Sequence, residues 1–245
     1  MDVVVVESAQ EVAREAASRV TDFVRRHPTA SIGLATGGTQ LGLYRLLTDA
    51  YRRGQVSFAD NRFFMLDEYA GILPTSTNSF QHVVRSEFLD HVDAAPHSLH
   101  VLDGTASDLH AEAQRFEQIL RDSGGVDLQL LGIGTNGHVG FNEPGSFPNS
   151  RTRPVRLHDD TIASNAPYFA SPADVPRAAI SQGLETIMEA RSILLMATGT
   201  TKAKAIAEMI DGQITAECPA SILQGHSGAT AIVDSAAASL LASRV

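Results

Sequence analysis

Short apolar runs recur along this chain, and each gives way to a stretch whose apolar residues return every three or four positions. The runs are Val3–Val6, Ser31–Ala35, Arg62–Leu66, Leu128–Ile133, Ser192–Ala197 and Ala229–Val233. A strand that is apolar at nearly every position must be covered on both faces, which is a property of parallel sheets rather than of sheets with one wet face. Between the runs, Val12, Ala16, Val20 and Val24 follow Ser8 at helical spacing, and Leu41, Leu43, Tyr44 and Leu47 follow a TGGT turn. Further helices are expected from Asn78 or Ser79 through Phe88, within Asp103–Arg121, over Leu184–Ala190 and over Lys202–Met209. This alternation predicts an α/β fold: an open, mostly parallel Rossmann-like sheet with helices on both faces. A short strand is expected over Arg177–Ile180, and Asn142–Arg153, with Pro144 and Pro148, is expected to be irregular. No repeat or linker interrupts the pattern, so residues 1–245 are read as one domain.

Charge narrows the partners. Asp and Glu number 28 against 19 Lys and Arg, a formal charge of -9. Such a surface repels nucleic-acid phosphates and anionic lipid, so a small-molecule partner is expected, with no nucleic acid and no membrane. Any anion site must be built locally, from backbone N–H groups and one or two cations. Cys218 is the lone cysteine, which rules out an intrachain disulfide and suits a reducing cytoplasm. The N-terminus lacks the basic start and long apolar stretch of a signal peptide, and a cytoplasmic location is expected. Monomer and homo-oligomer both remain compatible with the composition.

Open parallel sheets bind ligands outside the carboxyl ends of their strands. Four polar stretches stand there: Thr36-Gly37-Gly38-Thr39, Asp67-Glu68-Tyr69, the glycine-rich Gly132–Gly140, and Gly199-Thr200-Thr201-Lys202. Glycines let a backbone approach a ligand closely, and a helix that begins at once offers free N–H groups to an anion. Thr36, Gly37, Gly38 and Thr39 are therefore candidate phosphate ligands, with Lys202 at the second loop as the cation. Of Asp67 and Glu68, one is expected to face the crevice, where burial would raise its pKa and fit it for a base. His138 sits on a glycine-rich turn with Asn136 before it and Glu143 after it, close enough for Glu143 to orient the imidazole. His82, His91, His97, His100 and His110 show no metal-ligand spacing; His82 alone stands apart, because its helix follows soon after Asp67. No pattern of cysteines, histidines and carboxylates suggests a metal, and no GxSxG elbow is present.

In order and spacing, GLATGGTQLGLYRLL, FFMLDEYAG, LGIGTNGHVGFNEPGSFPNSRTR and ECPASILQGH resemble the glucosamine-6-phosphate deaminases, across about residues 3 to 234. The resemblance implies conversion of glucosamine 6-phosphate and water to fructose 6-phosphate and ammonia, with no metal or organic cofactor. It implies that His138 assists ring opening with Glu143 orienting it, that Asp67 moves a proton between C2 and C1, and that TGGT and Lys202 hold the phosphate. Two departures stand out. Asn136 occupies a position where some members carry aspartate, and it can position His138 without taking a proton. Pro167 stands where the family usually has a phosphate-binding arginine, implying weaker phosphate binding, substitution by Arg153 or Arg177, or a changed substrate. Arg151 and Arg153 match part of the allosteric region of larger members, but Val155 replaces a lysine there, so little or no such activation is expected. Asn142–Tyr168 is the segment expected to cover the site. The alternatives are an isomerase or deaminase of a different sugar phosphate, or a non-catalytic sugar-phosphate sensor.

Overall fold

A computed structural model describes residues 1–242, so the last three positions of the expected 1–245 domain lie outside the described residues. Seven strands form the main sheet: β1 (Asp2–Val6), β2 (Ser31–Leu34), β3 (Arg62–Met65), β5 (Leu99–His100), β6 (Leu128–Leu131), β9 (Ser192–Ala197) and β10 (Ala229–Asp234). Their order is β1-β10-β9-β6-β2-β3-β5, and every pairing is parallel. The helices around it include α1 (Ala9–Arg26), α2 (Gly38–Arg52), α3 (Phe80–Glu87), α4 (Leu109–Asp122), α5 (Asp159–Asn165), α6 (Leu184–Met188) and α7 (Ala203–Asp211).

Side-chain alternation along the strands explains the two layers. On β9, Ile193, Leu195 and Ala197 pack with Phe116 and Leu120 of α4 and with Ile206 and Met209 of α7. The alternate residues Leu194 and Met196 pack with Val12 and Val20 of α1 and Leu43 and Leu47 of α2. A strand buried on both faces reads as continuously apolar, as the sequence did. Helix starts follow their caps: the Ser8 hydroxyl accepts from the Glu11 N–H at 3.3 Å, and the Asp108 carboxylate accepts from the N–H groups of His110 and Ala111. No helix among the described residues is long and apolar enough to cross a membrane.

A second sheet was not legible. It is antiparallel, in the order β4-β8-β7, from β4 (Asp67–Tyr69), β8 (Ala178–Ser181) and β7 (Arg153–Arg156). The strand expected over Arg177–Ile180 belongs here, displaced by one residue, and β7 begins where the irregular segment was expected to end. With the sequence Arg-Pro-Val-Arg and partial exposure, β7 carries neither an apolar run nor clean alternation. The strand through Leu66 divides between the two sheets. The Leu66 N–H donates to the Leu34 carbonyl at 3.0 Å, and the Leu66 carbonyl accepts from the Gln182 N–H at 2.9 Å.

Glu117 on α4 ties the second sheet down. Its buried carboxylate accepts from the backbone N–H of Thr152 at 2.9 Å, from the hydroxyls of Thr152 and Thr186, and from the Arg151 guanidinium. Burial alone would raise its pKa, but these hydrogen bonds outweigh that and hold it below the usual carboxylate range. Removing it leaves the Thr152 N–H and the Thr152 and Thr186 hydroxyls without their acceptor, while Arg151 keeps Glu189, a loss of about 1–3 kcal/mol. Glu117→Ala is therefore expected to lose roughly that much in urea denaturation, and a loss under about 1 kcal/mol would contradict this anchoring role.

Candidate active site

Chain order diverges on either side of β2, which neighbours β3 on one flank and β6 on the other. A crevice forms outside the carboxyl ends of strands at such a point. A cavity of about 780 Å³ opens there. Its walls include Thr36, Gly37, Gly38 and Thr39 beyond β2, Asp67 on β4, Gly134 and His138 beyond β6, and Thr198 and Lys202 beyond β9. Four stretches far apart in sequence thus meet in one space.

The two stretches expected to hold an anion are strand-to-helix turns on one side of the cavity. Gly37 has φ of 125°, a conformation that side chains resist, and α2 starts directly after it. The helix therefore opens with unpaired N–H groups pointing into the cavity region, at the positive end of its dipole. The hydroxyls of Thr39 and Thr198 lie 3.4 Å apart and join this turn to the one after β9. In that second turn the Gly199 N–H donates to the Asp234 carboxylate at 3.0 Å. Lys202 is half-buried, and burial lowers its pKa; no acidic side chain pairs with it among the described residues.

The paired carboxylates separate in function. Glu68 turns away from the cavity and caps α3. Its oxygens accept from the N–H groups of Phe80 at 3.1 Å and Gln81 at 3.0 Å and from the Ser79 hydroxyl at 2.7 Å. Asp67, 6 % exposed, lines the cavity and has no hydrogen-bond donor among the described residues. Desolvation, helped by the neighbouring Glu68 charge, pushes its pKa up to about 8.

His138 is held by Asn136 rather than directly by Glu143. The Asn136 amide oxygen accepts from the His138 backbone N–H at 3.2 Å and lies 2.7 Å from His138 Nδ1. Its amide nitrogen donates to Glu143 Oε2 at 3.0 Å. Both outer partners are unambiguous, one a donor and one an acceptor, so the amide has one orientation. Nδ1 must then carry the ring proton, which leaves Nε2 as the proton acceptor. Glu143 Oε2 is also 3.5 Å from Nδ1, and its Oε1 accepts from the His158 N–H at 3.2 Å. Burial would raise the Glu143 pKa, but the His138 imidazole, the Thr161 hydroxyl and the Asn136 amide together outweigh it and bring it to about 2. Gly134 lies so close to the ring that a Cβ there would stand 2.2 Å from His138 Cε1. Asn136 and Glu143 thus stand behind the cavity wall and His138 stands in it.

The remaining expectations divide. Neither Arg153 nor Arg177 reaches the cavity: the Arg153 guanidinium donates to Asn142 at 2.8 Å and Ser146 at 3.2 Å, and no arginine is among the lining residues. Pro167 is exposed, in a turn after α5, while its neighbours Ser164, Asn165, Tyr168 and Phe169 line the mouth. The segment expected to cover the site does so with its C-terminal end. Of the other histidines, His82 lines the cavity and His91, His97, His100 and His110 do not. Sequence reading assigned no role to Tyr69 and Phe80, whose rings pack tilted with centroids 4.7 Å apart under the mouth beside Phe141. Buried aromatics carry no motif, so only their nearness to Asp67 could have flagged them. Among the described residues, no group of three or more His, Cys, Asp or Glu side chains converges as a metal site would require.

Comparison with known proteins agrees with this geometry. Residues 5–232 match the family model of glucosamine-6-phosphate isomerases and 6-phosphogluconolactonases. A glucosamine-6-phosphate deaminase of Halothermothrix orenii is 44 % identical over 241 residues, covering 98 % of this chain and all of that protein. One from Corynebacterium aurimucosum is 45 % identical over 244 residues, covering 100 % of this chain and 95 % of that protein. Among solved structures, a monomeric glucosamine-6-phosphate deaminase superposes with a TM-score of 0.96 at 40 % identity, covering 98 % of this chain and 100 % of that one. The 6-phosphogluconolactonase of Trypanosoma brucei shares the fold at a TM-score of 0.77 and 22 % identity, over 98 % of each chain.

The Asp67 environment has a thermodynamic signature. An unfolded aspartate ionises near 3.8 and the folded one near 8, so between those values the folded state holds the extra proton. Stability contributed by that proton is complete below the lower value and is lost as pH rises through the upper one. Asp67→Asn removes the linkage. The variant is expected to gain stability relative to the native chain between pH 6 and pH 9, read by urea denaturation at both; an unchanged difference would contradict the desolvated carboxyl.

Proposed function

The chain belongs to the family of glucosamine-6-phosphate isomerases and 6-phosphogluconolactonases, and from that membership we propose that it converts glucosamine 6-phosphate and water to fructose 6-phosphate and ammonia. The observation that carries the reading is one cavity holding a desolvated carboxyl, a tautomer-fixed histidine and an anion cradle. A lactone hydrolysis needs no base at a sugar carbon, whereas an aldose–ketose conversion does, and the full-length relatives named deaminases are twice as similar as the lactonase neighbour.

In this reading the phosphate rests on the N–H groups of Gly37, Gly38 and Thr39, with the Thr36 and Thr39 hydroxyls and Lys202. His138 Nε2 takes up and returns a proton at the ring oxygen, opening the pyranose. The Glu143 charge, relayed by the Asn136 amide, stabilises the imidazolium that forms. Asp67 then removes the C2 proton of the open chain and returns it to C1. The product of that shift is an imine at the ketose level, and water hydrolyses it to release ammonia. The substrate's ammonium group favours ionised Asp67, offsetting the desolvation that raises its pKa in the empty cavity. No metal or organic cofactor enters this scheme. We further propose that one domain carries it, that the enzyme works in the cytoplasm, and that it is a monomer like the 40 % identical neighbour.

The absence of a lining arginine among the described residues favours one second reading, in which a related amino-sugar phosphate such as galactosamine 6-phosphate is the better substrate. A panel of sugar phosphates distinguishes the two by kcat/KM. With glucosamine 6-phosphate, coupled detection of fructose 6-phosphate and of ammonia should show equal rates. Asp67→Asn and His138→Gln are each expected to lower kcat by roughly 10²–10⁴-fold. Because Asp67 must be ionised to act, kcat/KM should rise with pH toward about 8. No turnover at millimolar substrate would refute the proposal. Light scattering should give a mass near 26.1 kDa.

A further inference from the structure

A sugar phosphate brings a dianion into a chain whose formal charge is -9. Among the described residues that line the cavity, the groups able to carry positive charge are Lys202, His138 and His82. His138 is committed through Asn136. The segment after α5 offers neutral side chains there, Ser164, Asn165 and Tyr168, with Pro167 turned outward. His82 remains unassigned.

Its position follows from how two helices lie together. Helix α2 starts beyond the carboxyl end of β2, and α3 starts beside Glu68, whose carboxylate holds the Phe80 and Gln81 N–H groups. Both helices therefore run back from the same edge of the sheet. They touch deeper in, where the Tyr44 and Phe88 rings stack with centroids 5.1 Å apart and Arg45 pairs with Glu87 at 4.0 Å. Tyr44 lies as many positions beyond Gly38 as Phe88 lies beyond His82, about 9 Å of helix rise in each case. Gly38 and His82, one near the start of each helix, both line the same cavity. An anion on the N-terminus of α2 would occupy the space that His82 also lines. His82, Val83, Ser86 and Glu87 form one cavity-facing stripe, and the Glu87 charge is partly offset by Arg45. The His82 backbone N–H is taken by Ser79 at 3.4 Å, while its half-buried ring has no hydrogen-bond partner among the described residues.

We propose that His82 is a ligand of the substrate's phosphate group, donating a ring N–H to it from α3 while Lys202 and the TGGT backbone hold it from the other side. The assignment rests on the deaminase reading for its substrate but not for its measurement, because inorganic phosphate serves as an independent probe. His82→Ala should raise KM for glucosamine 6-phosphate and the inhibition constant of inorganic phosphate together, each about tenfold, with kcat within about twofold. His82→Arg should restore both constants. Dissociation constants for inorganic phosphate from calorimetry on the native chain, His82→Ala and His82→Arg complete the set.

If the native enzyme turns over and neither constant moves in His82→Ala, the assignment is overturned while the deaminase reading stands. A fall in kcat at unchanged KM and unchanged phosphate affinity would overturn it as well, since that places His82 in the chemistry or in folding. If the native chain does not turn over glucosamine 6-phosphate, the deaminase reading fails by itself. The calorimetry then decides: weaker phosphate binding in His82→Ala with recovery in His82→Arg supports the ligand role, and equal binding refutes it.

Discussion

The peptide of Leu66 is where two sheets meet, and the site depends on it. Its N–H bonds to Leu34 in the parallel sheet and its carbonyl to Gln182 beside the antiparallel one. The Gln182 side chain adds a donor to the Met65 carbonyl at 3.0 Å. A strand that simply continued in the parallel sheet would carry its next residues along the sheet edge. Handing the chain to β8 at this point instead fixes Asp67 over the crevice and sends Glu68 to the start of α3. The cost of leaving either Leu66 group unpaired in a buried setting makes the hand-over sharp.

Two carboxylates near one ligand space are driven in opposite directions by their surroundings. Asp67 has lost water and gained no donor, so its proton is held to about 8; Glu143 has lost water too, but it gains the His138 ring, the Thr161 hydroxyl and the Asn136 amide and falls to about 2. Environments that push titratable groups apart separate the group that exchanges protons from the group that stays charged. Asparagine between His138 and Glu143 sharpens this, since an amide passes on orientation and charge without offering a proton of its own to transfer. An aspartate at that position would bring a second negative charge within contact of Glu143 and couple the two titrations.

An acidic protein that recognises a dianion must do so at short range. In the proposed reading the turn after β2 does this with backbone N–H groups, which have no counter-charge to neutralise, and the turn after β9 adds one lysine whose pKa is lowered by burial. The aromatic cluster of Tyr69, Phe80, Phe141 and Phe169 joins the antiparallel sheet to the segment over the mouth.

What the sequence determined by itself was whatever rests on local pattern. Apolar runs such as Ser192–Ala197 demanded a strand covered on both sides, and the glycine-bearing turns at Gly37 and Gly137 demanded sharp exits from strands. Open parallel sheets gather such exits along one edge, so Thr36–Thr39, Asp67, His138 and Lys202 could be placed together before any coordinates. Residue spacing left open which of Asp67 and Glu68 faces the cavity; family resemblance pointed to Asp67, and the two-sheet hand-over is what physically sets it there. Tertiary structure also inserted Asn136 between His138 and Glu143, set Arg153 apart from the cavity and brought His82 into the cavity wall. Each of those depends on contacts between segments distant in sequence, where direction is fixed by packing and hydrogen bonding rather than by periodicity.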